Sequence, residues 1–347
     1  MANIIIIGAG SMGTAFSFPC SDNKHNITVV GTHLENDFID KINLKKEHPA
    51  LKCKTPTDVK FVKFKSLEEE INKNIDLIVI AVVSKGIEWI SIELSKFLKT
   101  KIPILILTKG LSLNNDNYEI LAHKMDRLLK HHGVKETDIT AAGGPCLARG
   151  LANKVHTSVV FANEDIKKAK IISKLVSTNY YHISISSDVI GVEICAAIKN
   201  IFSMAIGASQ GLCTEGSSAE IKKQNYLNTA AALLQKSIDE MITFTLKLNG
   251  KKETVMGLAG IGDLYVSADG GRNSQMGEFL GQGLSFINAK KTKMLNETVE
   301  GADLAFEIGS KIKKDFDKKD LPLMLSIIDT ICDDKPLKIN WEFFNNH

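Results

Sequence analysis

A lysine stands in the middle of a long apolar segment of this chain. Between residues 189 and 213 the charged residues are Glu193 and Lys199, and Asn200 follows the lysine directly. Apolar and small side chains occupy nearly every other direction of a helix, so we expect this helix to be buried on all sides. A buried ammonium group must be paired or lose its proton, and such a group suits proton transfer near neutral pH. Two interpretations fit the spacing: a catalytic Lys199, and a structural pair of Lys199 with Glu193.

Polar residues cluster a second time in a glycine-rich stretch, GLAGIGDLYVSADGGRN at 257–273. Asp263 follows three glycines, Ser267 comes four residues later, and the pair Arg272-Asn273 ends the stretch. Such glycines indicate a close approach of the backbone to another group. A guanidinium beside an amide is typical of a phosphate site, and only three of the 43 basic residues are arginine. We therefore favour anion binding over a surface turn with exposed charges.

A glycine-rich loop, GAGSMG at 8–13, directly follows the apolar run NIIII at 3–7 and opens a helical pattern. In this context Gly8 permits a tight turn, Gly10 lets a pyrophosphate approach the backbone, and Gly13 lets helix and strand pack closely. The helix N-terminus adds free N–H groups and a positive dipole end. The pattern predicts a dinucleotide-binding loop whose contacts come from Gly8, Gly10, Ser11, Met12 and Gly13.

The end of the second predicted strand bears on the choice of dinucleotide. An acidic residue at this point would hold the ribose 2′-hydroxyl of NAD, but the strand ends in Val-Gly followed by Thr32 and His33. Glu35 is two residues further on, and the spacing alone leaves open whether it reaches the ribose. Thr32 or His33 could contact the 2′-phosphate of NADP, although no arginine is there to hold it firmly. The sequence thus leaves NAD and NADP as alternatives.

The hydrophobic pattern of the sequence predicts the strands and helices that position these residues. Short apolar runs alternate with helical patterns up to about residue 187, which indicates a parallel sheet covered on both faces. From residue 188 onward, long helical patterns dominate. We predict an α/β N-terminal Rossmann-like doubly wound sheet over residues 1–187, which binds the dinucleotide, and an all-α C-terminal domain over residues 188–347, which binds the substrate.

Two further motifs lie where predicted strands end. TKGL follows the apolar run IPILIL, and GGPCLA follows the strand pattern near residue 140. Ligands bind at the carboxyl ends of strands in such a sheet, which places Lys109 and Gly144 near a site. Cys146 has no base close to it in sequence, so we favour a turn that lines the site over a reactive thiol.

The overall composition excludes several classes of function. The net charge of +3 is too small and too dispersed to indicate binding to nucleic acid. The six cysteines and the histidines show no metal-ligand spacing, so no metal site is predicted and the cysteines are expected to be reduced. Residues 189–213 are long enough to cross a bilayer, but their polar residues favour a buried helix over membrane insertion. The N-terminal residues show no signal peptide, and we expect a cytoplasmic protein.

Together these motifs resemble the NAD(P)-dependent glycerol-3-phosphate dehydrogenases, which are soluble two-domain enzymes. The match is ordered along the chain and covers nearly all of it. GAGSMGTA is similar to the family's dinucleotide loop, and TKGL resembles its lysine turn, which implies that Lys109 contacts both cofactor and substrate. GGPCLA resembles its Gly-Pro-Ser/Thr segment, which implies substrate contacts by Gly144 and Cys146 and a cofactor contact by Ala148.

The helical half carries the strongest part of the resemblance. AAIKN is similar to the family's catalytic-lysine helix, which implies that Lys199 donates and accepts the proton with Asn200 beside it at the substrate. GLAGIGDLYVS followed by GRN resembles the family's most distinctive signature, which implies that Asp263 and Ser267 lie near the reacting centre. By the same resemblance Lys109 joins Lys199 and Asp263 as a catalytic residue.

The resemblance also assigns the remaining contacts and an activity. Arg272 and Asn273 would hold the substrate phosphate, with Arg272 also at the cofactor, and TVEGA implies that Glu300 contacts the cofactor. The implied reaction is reversible hydride transfer between sn-glycerol 3-phosphate and dihydroxyacetone phosphate, with NAD or NADP, supplying glycerol 3-phosphate for phospholipid synthesis. A homodimer is possible. Two alternatives stay open: another two-domain hydroxyacid dehydrogenase or ketoacid reductase, and a non-catalytic nucleotide sensor.

Overall fold

The computed structural model describes residues 1–98, 100–213 and 219–344, with the helical backbone alone for 219–225. The chain forms two compact units. The first comprises Met1–Lys109 and Ile120–Glu193, and the second comprises Gly110–Glu119 and Ile194–His347. This division differs from the predicted ranges in two respects: the boundary falls inside a helix, after Glu193, and residues 110–119 lie in the helical unit.

Strands of the first unit come from the apolar runs of the sequence. In chain order the strands of the described residues are β1 (Asn3–Ile7), β2 (Asn26–Val30), β3 (Glu47–His48), β4 (Cys53–Lys54), β5 (Val59–Val62), β6 (Leu77–Ile80), β7 (Ile104–Ile106), β8 (Leu111–Asn114), β9 (Asn117–Ile120), β10 (Ile139–Gly143), β11 (Thr157–Ala162) and β12 (Tyr181–Ser186). Strands β6 and β7 are apolar throughout, and β1 is apolar from Ile4 onward, because both faces of the sheet are covered.

Within the described residues, eight strands form one sheet in the order β12-β11-β10-β7-β6-β1-β2-β5. Six neighbouring strands of this sheet, β5-β2-β1-β6-β7-β10, pair in parallel throughout. If these six are renumbered by their order along the chain, the spatial order is 3-2-1-4-5-6. This is the order of a dinucleotide-binding doubly wound sheet. It leaves the carboxyl ends of β1 and β2 side by side, with Ile7 opposite Val30.

One part of the sheet departs from the predicted parallel arrangement. Strand β11 pairs antiparallel with β10, and β12 then pairs parallel with β11. The chain between β10 and β11 carries a helix of five residues, Ala148–Ala152, which packs against the first helix of the unit. The short segment between β10 and β11 therefore returns the chain antiparallel to β10. A parallel β11 would need a longer connection that crosses to the opposite end of the sheet.

Helices cover the sheet in the first unit and make up most of the second. In chain order they are α1 (Ser11–Asp22), α2 (Asn36–Lys45), α3 (Leu67–Ile71), α4 (Gly86–Ser95), α5 (Leu121–His131), α6 (Ala148–Ala152), α7 (Ile166–Val176), α8 (Val189–Leu212), α9 (Ala219–Lys247), α10 (Lys252–Val255), α11 (Asp263–Ala268), α12 (Arg272–Gly281), α13 (Phe286–Thr292), α14 (Glu300–Asp315) and α15 (Pro322–Cys332). A single π-helical turn, Leu258–Gly262, leads directly into α11.

Helix α8 begins in the first unit and belongs to the second unit from Ile194 onward. Among the described residues it is the one helix long and apolar enough to cross a bilayer, and 89% of its most apolar stretch is buried inside the protein. Burial on nearly all sides explains why this helix is apolar around its whole circumference.

The hairpin formed by β8 and β9 belongs to the second unit because its side chains contact helices of that unit. Asp116 accepts a hydrogen bond from Lys314 at 3.1 Å, and the Tyr118 ring meets the Phe244 ring edge-on at a centroid distance of 5.5 Å. Its partners therefore come from α14 and α9, far along the chain. The sequence predicted an all-α domain, whereas the second unit is helix-rich and also contains this two-stranded hairpin.

Candidate active site

The glycine-rich loop between β1 and α1 has the geometry of a phosphate-binding turn. Gly8 adopts a φ of +110°, which L side chains rarely adopt, and a Cβ atom there would lie 2.6 Å from the carbonyl oxygen of Ala81. The loop then opens α1 at Ser11, so the first-turn N–H groups of a 12-residue helix lie at its end. Met12 is half-buried and packs against the core of the sheet.

An acidic side chain contacts this loop from the end of β2. Glu35 accepts hydrogen bonds from the backbone N–H groups of Ala9, at 3.1 Å, and Thr32, at 2.7 Å. Both bonds go to the same carboxylate oxygen, Oε2. The structure thus links Thr32 to the loop through Glu35. The sequence spacing alone had left open what Glu35 reaches. His33 is exposed and packs its ring against Trp89, at a centroid distance of 4.7 Å.

A second polar contact in the first unit joins the turns after β7 and β10. Lys109 Nζ donates a hydrogen bond to the carbonyl oxygen of Gly144 at 3.2 Å. Gly144 has a φ of +104° and is buried, and Thr108 Oγ1 anchors the lysine turn by donating to the Val82 carbonyl at 2.6 Å. Cys146 and Ala148 follow in the same turn, are half-buried, and pack against the core. The two predicted strand-end motifs therefore meet.

Lys199 lies in the second unit, where it meets two residues of the glycine-rich stretch. Its Nζ donates to a carboxylate oxygen of Asp263 and to Ser267 Oγ, the latter at 2.8 Å. The side chains of Lys199 and Asp263 are 8% and 2% exposed, respectively. Asp263 is the first residue of α11, directly after the π-helical turn Leu258–Gly262, and such turns are frequent at functional sites. The carboxylate that pairs with Lys199 therefore comes from a distant segment.

Arginine, amide and carboxylate groups meet next to this pair. Asn273 Nδ2 donates to Asn200 Oδ1 at 3.1 Å, and Asn273 Oδ1 accepts from the Gly301 N–H at 2.9 Å. The Arg272 guanidinium donates to the Glu300 carboxylate, which also accepts from Asn273 Nδ2 at 3.4 Å. Arg272 and Asn273 are the first two residues of α12, so their donors lie at a helix N-terminus. Glu300 shows that an anionic group fits these donors.

Close packing of α8 on α12 brings these residues together. A Cβ atom at Gly277 would lie 2.0 Å from the carbonyl oxygen of Met204, and one at Gly207 would lie 2.2 Å from that of Ser274. The two helices are therefore in backbone contact, which side chains at these positions would prevent. That approach sets Asn200 on α8 within hydrogen-bond distance of Asn273 on α12.

Two family profiles match the chain, one in each half. The profile for the N-terminus of NAD-dependent glycerol-3-phosphate dehydrogenase matches residues 3–169, and the profile for the C-terminus matches residues 188–341. The chain belongs to the NAD-dependent glycerol-3-phosphate dehydrogenase family.

Relatives of full length agree with this membership. A protein of Archaeoglobus fulgidus named NADP(+)-dependent glycerol-3-phosphate dehydrogenase is 30% identical over 317 residues, covering 90% of this chain and 91% of that protein. A Clostridium tetani protein named glycerol-3-phosphate dehydrogenase (NAD(P)+) is 30% identical over 315 residues, covering 89% and 84%. A crystal structure of glycerol-3-phosphate dehydrogenase from Coxiella burnetii shares the fold, with a TM-score of 0.80, 23% identity, and coverage of 99% of this chain and 97% of that one.

Family membership confirms the resemblance drawn from the motifs and the prediction of an NAD(P)-dependent oxidoreductase of this kind. The fold class is also confirmed: a Rossmann-like parallel sheet precedes a helix-rich part of the chain. The predicted roles of individual residues stay predictions. Within the second unit of this dehydrogenase, the structure brings together Lys199, Asn200, Asp263, Ser267, Arg272, Asn273 and Glu300.

Two acidic residues have surroundings that the sequence did not indicate. Glu35 reaches the dinucleotide loop, and the available signal was an acid shortly after β2, displaced from the usual position. Glu193 accepts a hydrogen bond from the Ala122 N–H at the N-terminus of α5, at 3.0 Å. Burial raises the pKa of the Glu193 carboxyl to about 8. No local pattern links Glu193 to α5, because 71 residues separate it from Ala122.

Proposed function

We propose that this protein transfers hydride reversibly between sn-glycerol 3-phosphate and dihydroxyacetone phosphate, with NAD or NADP as its cofactor. The observation that carries the proposal is the buried ammonium group of Lys199, held by Asp263 and Ser267 next to an anion site at Arg272 and Asn273. A proton donor beside an anion site suits a phosphorylated ketone, whose carbonyl oxygen must gain a proton as the carbon is reduced.

The first unit supports binding of the dinucleotide. Gly8 makes the turn that such a loop requires, and the N-terminus of α1 offers backbone N–H groups to a pyrophosphate. Lys109, fixed against Gly144 at the ends of two neighbouring strands, is proposed to contact both cofactor and substrate. When bound, the nicotinamide ring supplies or accepts the hydride.

Lys199 is proposed to move the proton. In the reductive direction its Nζ gives a proton to the carbonyl oxygen of the substrate, and in the oxidative direction the neutral amine takes the hydroxyl proton. The positive charge on Nζ also stabilises the oxygen as negative charge develops on it. Asp263 offsets the cost of burying this charge, and Ser267 Oγ accepts a second hydrogen bond from Nζ, so the amine is held in one orientation.

Arg272 and Asn273 are proposed to hold the substrate phosphate. Their donors lie at the N-terminus of α12 and bind the Glu300 carboxylate in this structure. A phosphate has more charge and more acceptor oxygens than a carboxylate, so it competes well for the same guanidinium. Binding energy at the phosphate then positions the carbonyl for proton transfer.

A direct assay tests the proposal. Purified protein is mixed with dihydroxyacetone phosphate and either NADH or NADPH, and the absorbance of the reduced nicotinamide is followed. We expect turnover with at least one nucleotide, and far slower turnover with dihydroxyacetone, which lacks the phosphate. A 2-keto acid panel is run in parallel. Turnover on a keto acid alone would favour a ketoacid reductase, and nucleotide binding without any turnover would favour a sensor.

The proposal also covers the compartment, the metabolic role and the assembly of the protein. We expect the six cysteines to be reduced, as is usual for proteins of the reducing cytoplasm. There the enzyme would supply glycerol 3-phosphate for phospholipid synthesis. A homodimer is proposed as the assembly because twofold dimers are the commonest closed assemblies of soluble proteins, and light scattering coupled to size-exclusion chromatography measures it.

A further inference from the structure

Glu35 contacts the glycine-rich loop at which the dinucleotide is proposed to bind. Its side chain extends from the turn after β2 to the start of the loop that follows β1, and its Oε2 atom accepts from the N–H groups of Ala9 and Thr32. These two bonds fix the carboxylate on a side chain that is half-buried. The carboxylate is therefore a built part of the loop's surroundings and not a mobile surface charge.

The two carboxylate oxygens have different surroundings. Oε2 is occupied by two backbone donors, whereas Oε1 receives no hydrogen bond from any residue in the described part of the chain. Oε1 is also the heavy atom nearest to the point where a Cβ atom of Gly10 would stand, at 3.9 Å. Gly10 is the position at which the loop backbone lets a pyrophosphate approach. One acceptor oxygen thus lies beside Gly10 with no hydrogen-bond donor among the described residues.

A carboxylate in this position discriminates between two chemical groups. It accepts hydrogen bonds from the paired hydroxyls of a ribose, and it repels a phosphate ester on the same ribose because both groups are negative. Residues 30–37, VGTHLEND, contain Glu35 and Asp37 but no lysine or arginine, and Lys63, directly after the neighbouring strand β5, is paired with Asp40 at 2.6 Å. The exposed His33 ring is engaged with Trp89.

We propose that Glu35 binds the adenosine ribose hydroxyls through Oε1 and makes this protein prefer NAD(H) over NADP(H). The proposal rests on the proposed function, since it requires a dinucleotide on the loop. It sets this chain apart from the Archaeoglobus fulgidus relative, which is named as NADP(+)-dependent. Glu35 would supply, from three residues after the Gly31–Thr32 step, the acid that the end of β2 lacks.

Equilibrium binding without substrate tests this preference. NADH and NADPH are titrated separately into the full-length protein, and their fluorescence gives the two dissociation constants. We expect NADH to bind at least about tenfold more tightly than NADPH, because a like charge beside the ligand is strongly unfavourable. In Glu35→Gln the ratio should fall toward one, mainly because NADPH binds more tightly. The matched control is Asp37→Asn, an exposed neighbour with the same change of charge, which should keep the wild-type ratio.

The outcomes are distinguishable. Equal or tighter binding of NADPH by the wild type would overturn the role of Glu35 while leaving the proposed function intact, and so would an unchanged ratio in Glu35→Gln. Failure of both nucleotides to bind would overturn the proposed function together with this inference. Thermal unfolding verifies that Glu35→Gln is folded. If it is not, Glu35→Asp decides: the charge remains, so NADPH should stay disfavoured, while NADH should bind several-fold more weakly through the shorter side chain.

Discussion

Lys199 and Asp263 form an ion pair that is almost completely buried inside the helical unit. Their side chains are 8% and 2% exposed, and Ser267 Oγ accepts a further hydrogen bond from the ammonium group at 2.8 Å. Burying two charges is costly, and an apolar pair of similar size is often equally stable or more so. Stability alone therefore gives little reason for this pair, whereas proton transfer requires a titratable amine held in one position.

Replacing Lys199 tests that argument. Lys199→Met keeps most of the volume of the side chain and removes the proton donor, so we expect turnover of dihydroxyacetone phosphate to fall by about 10²–10⁴-fold. Nucleotide binding, measured by fluorescence, should be retained. Lys247→Met, on the exposed end of α9, is the control and should keep wild-type turnover. Retention of most of the rate in Lys199→Met would show that the lysine has only a structural role.

Arg272 offers a test of the phosphate site. Arg272→Lys keeps the charge but loses the planar donors that match a phosphate, so kcat/KM for dihydroxyacetone phosphate should fall about 10- to 100-fold, largely through KM. The same variant should be nearly unchanged with dihydroxyacetone, because that substrate has no phosphate to bind. Arg127→Lys on α5 serves as the matched control. An equal loss on both substrates would contradict a role in phosphate binding.

Glu193 predicts a dependence of stability on pH. Burial raises the pKa of its carboxyl from 4.5 to about 8 in the folded protein. Because the folded state binds this proton more tightly than the unfolded chain, the stabilisation is complete below about pH 4.5 and is lost as the pH rises toward about 8. Urea unfolding at pH 5.5 and pH 8 should show wild type losing a few kcal/mol more than Glu193→Gln. Glu68→Gln, on the exposed face of α3, should behave as wild type does.

Backbone contact between α8 and α12 predicts the result of a single added methyl group. A Cβ atom at Gly277 would lie 2.0 Å from the Met204 carbonyl oxygen, so Gly277→Ala must push the helices apart, at a cost of about 1–3 kcal/mol of unfolding free energy. Turnover should fall as well, since α12 carries Arg272. In Gly150→Ala on α6 the nearest atoms would lie at 3.9 Å, and we expect no loss of stability. Unfolding of both variants in urea gives the comparison, and equal stability would exclude tight packing at Gly277.

Local patterns in the sequence were sufficient to predict the fold class and the main polar motifs of this protein. A glycine-rich loop after an apolar strand, alternating strands and helices, and a lysine within an apolar helix identify a dinucleotide-binding sheet followed by a helical region. These features are local because hydrophobic periodicity and the conformational freedom of glycine act over a few residues. The ordered motifs added the family, and the family profiles agree with it.

The partners of charged side chains were decided only by the tertiary structure. Periodicity tells which face of a helix is buried but not which distant segment covers it. Glu193 stood as a possible partner of Lys199, yet it accepts from Ala122 on α5, and Asp263 pairs with the lysine. Glu35 reaches Ala9 because strands β1 and β2 end side by side. The antiparallel strand β11 and the hairpin at 110–119 likewise depend on contacts between segments far apart along the chain, which no local pattern records.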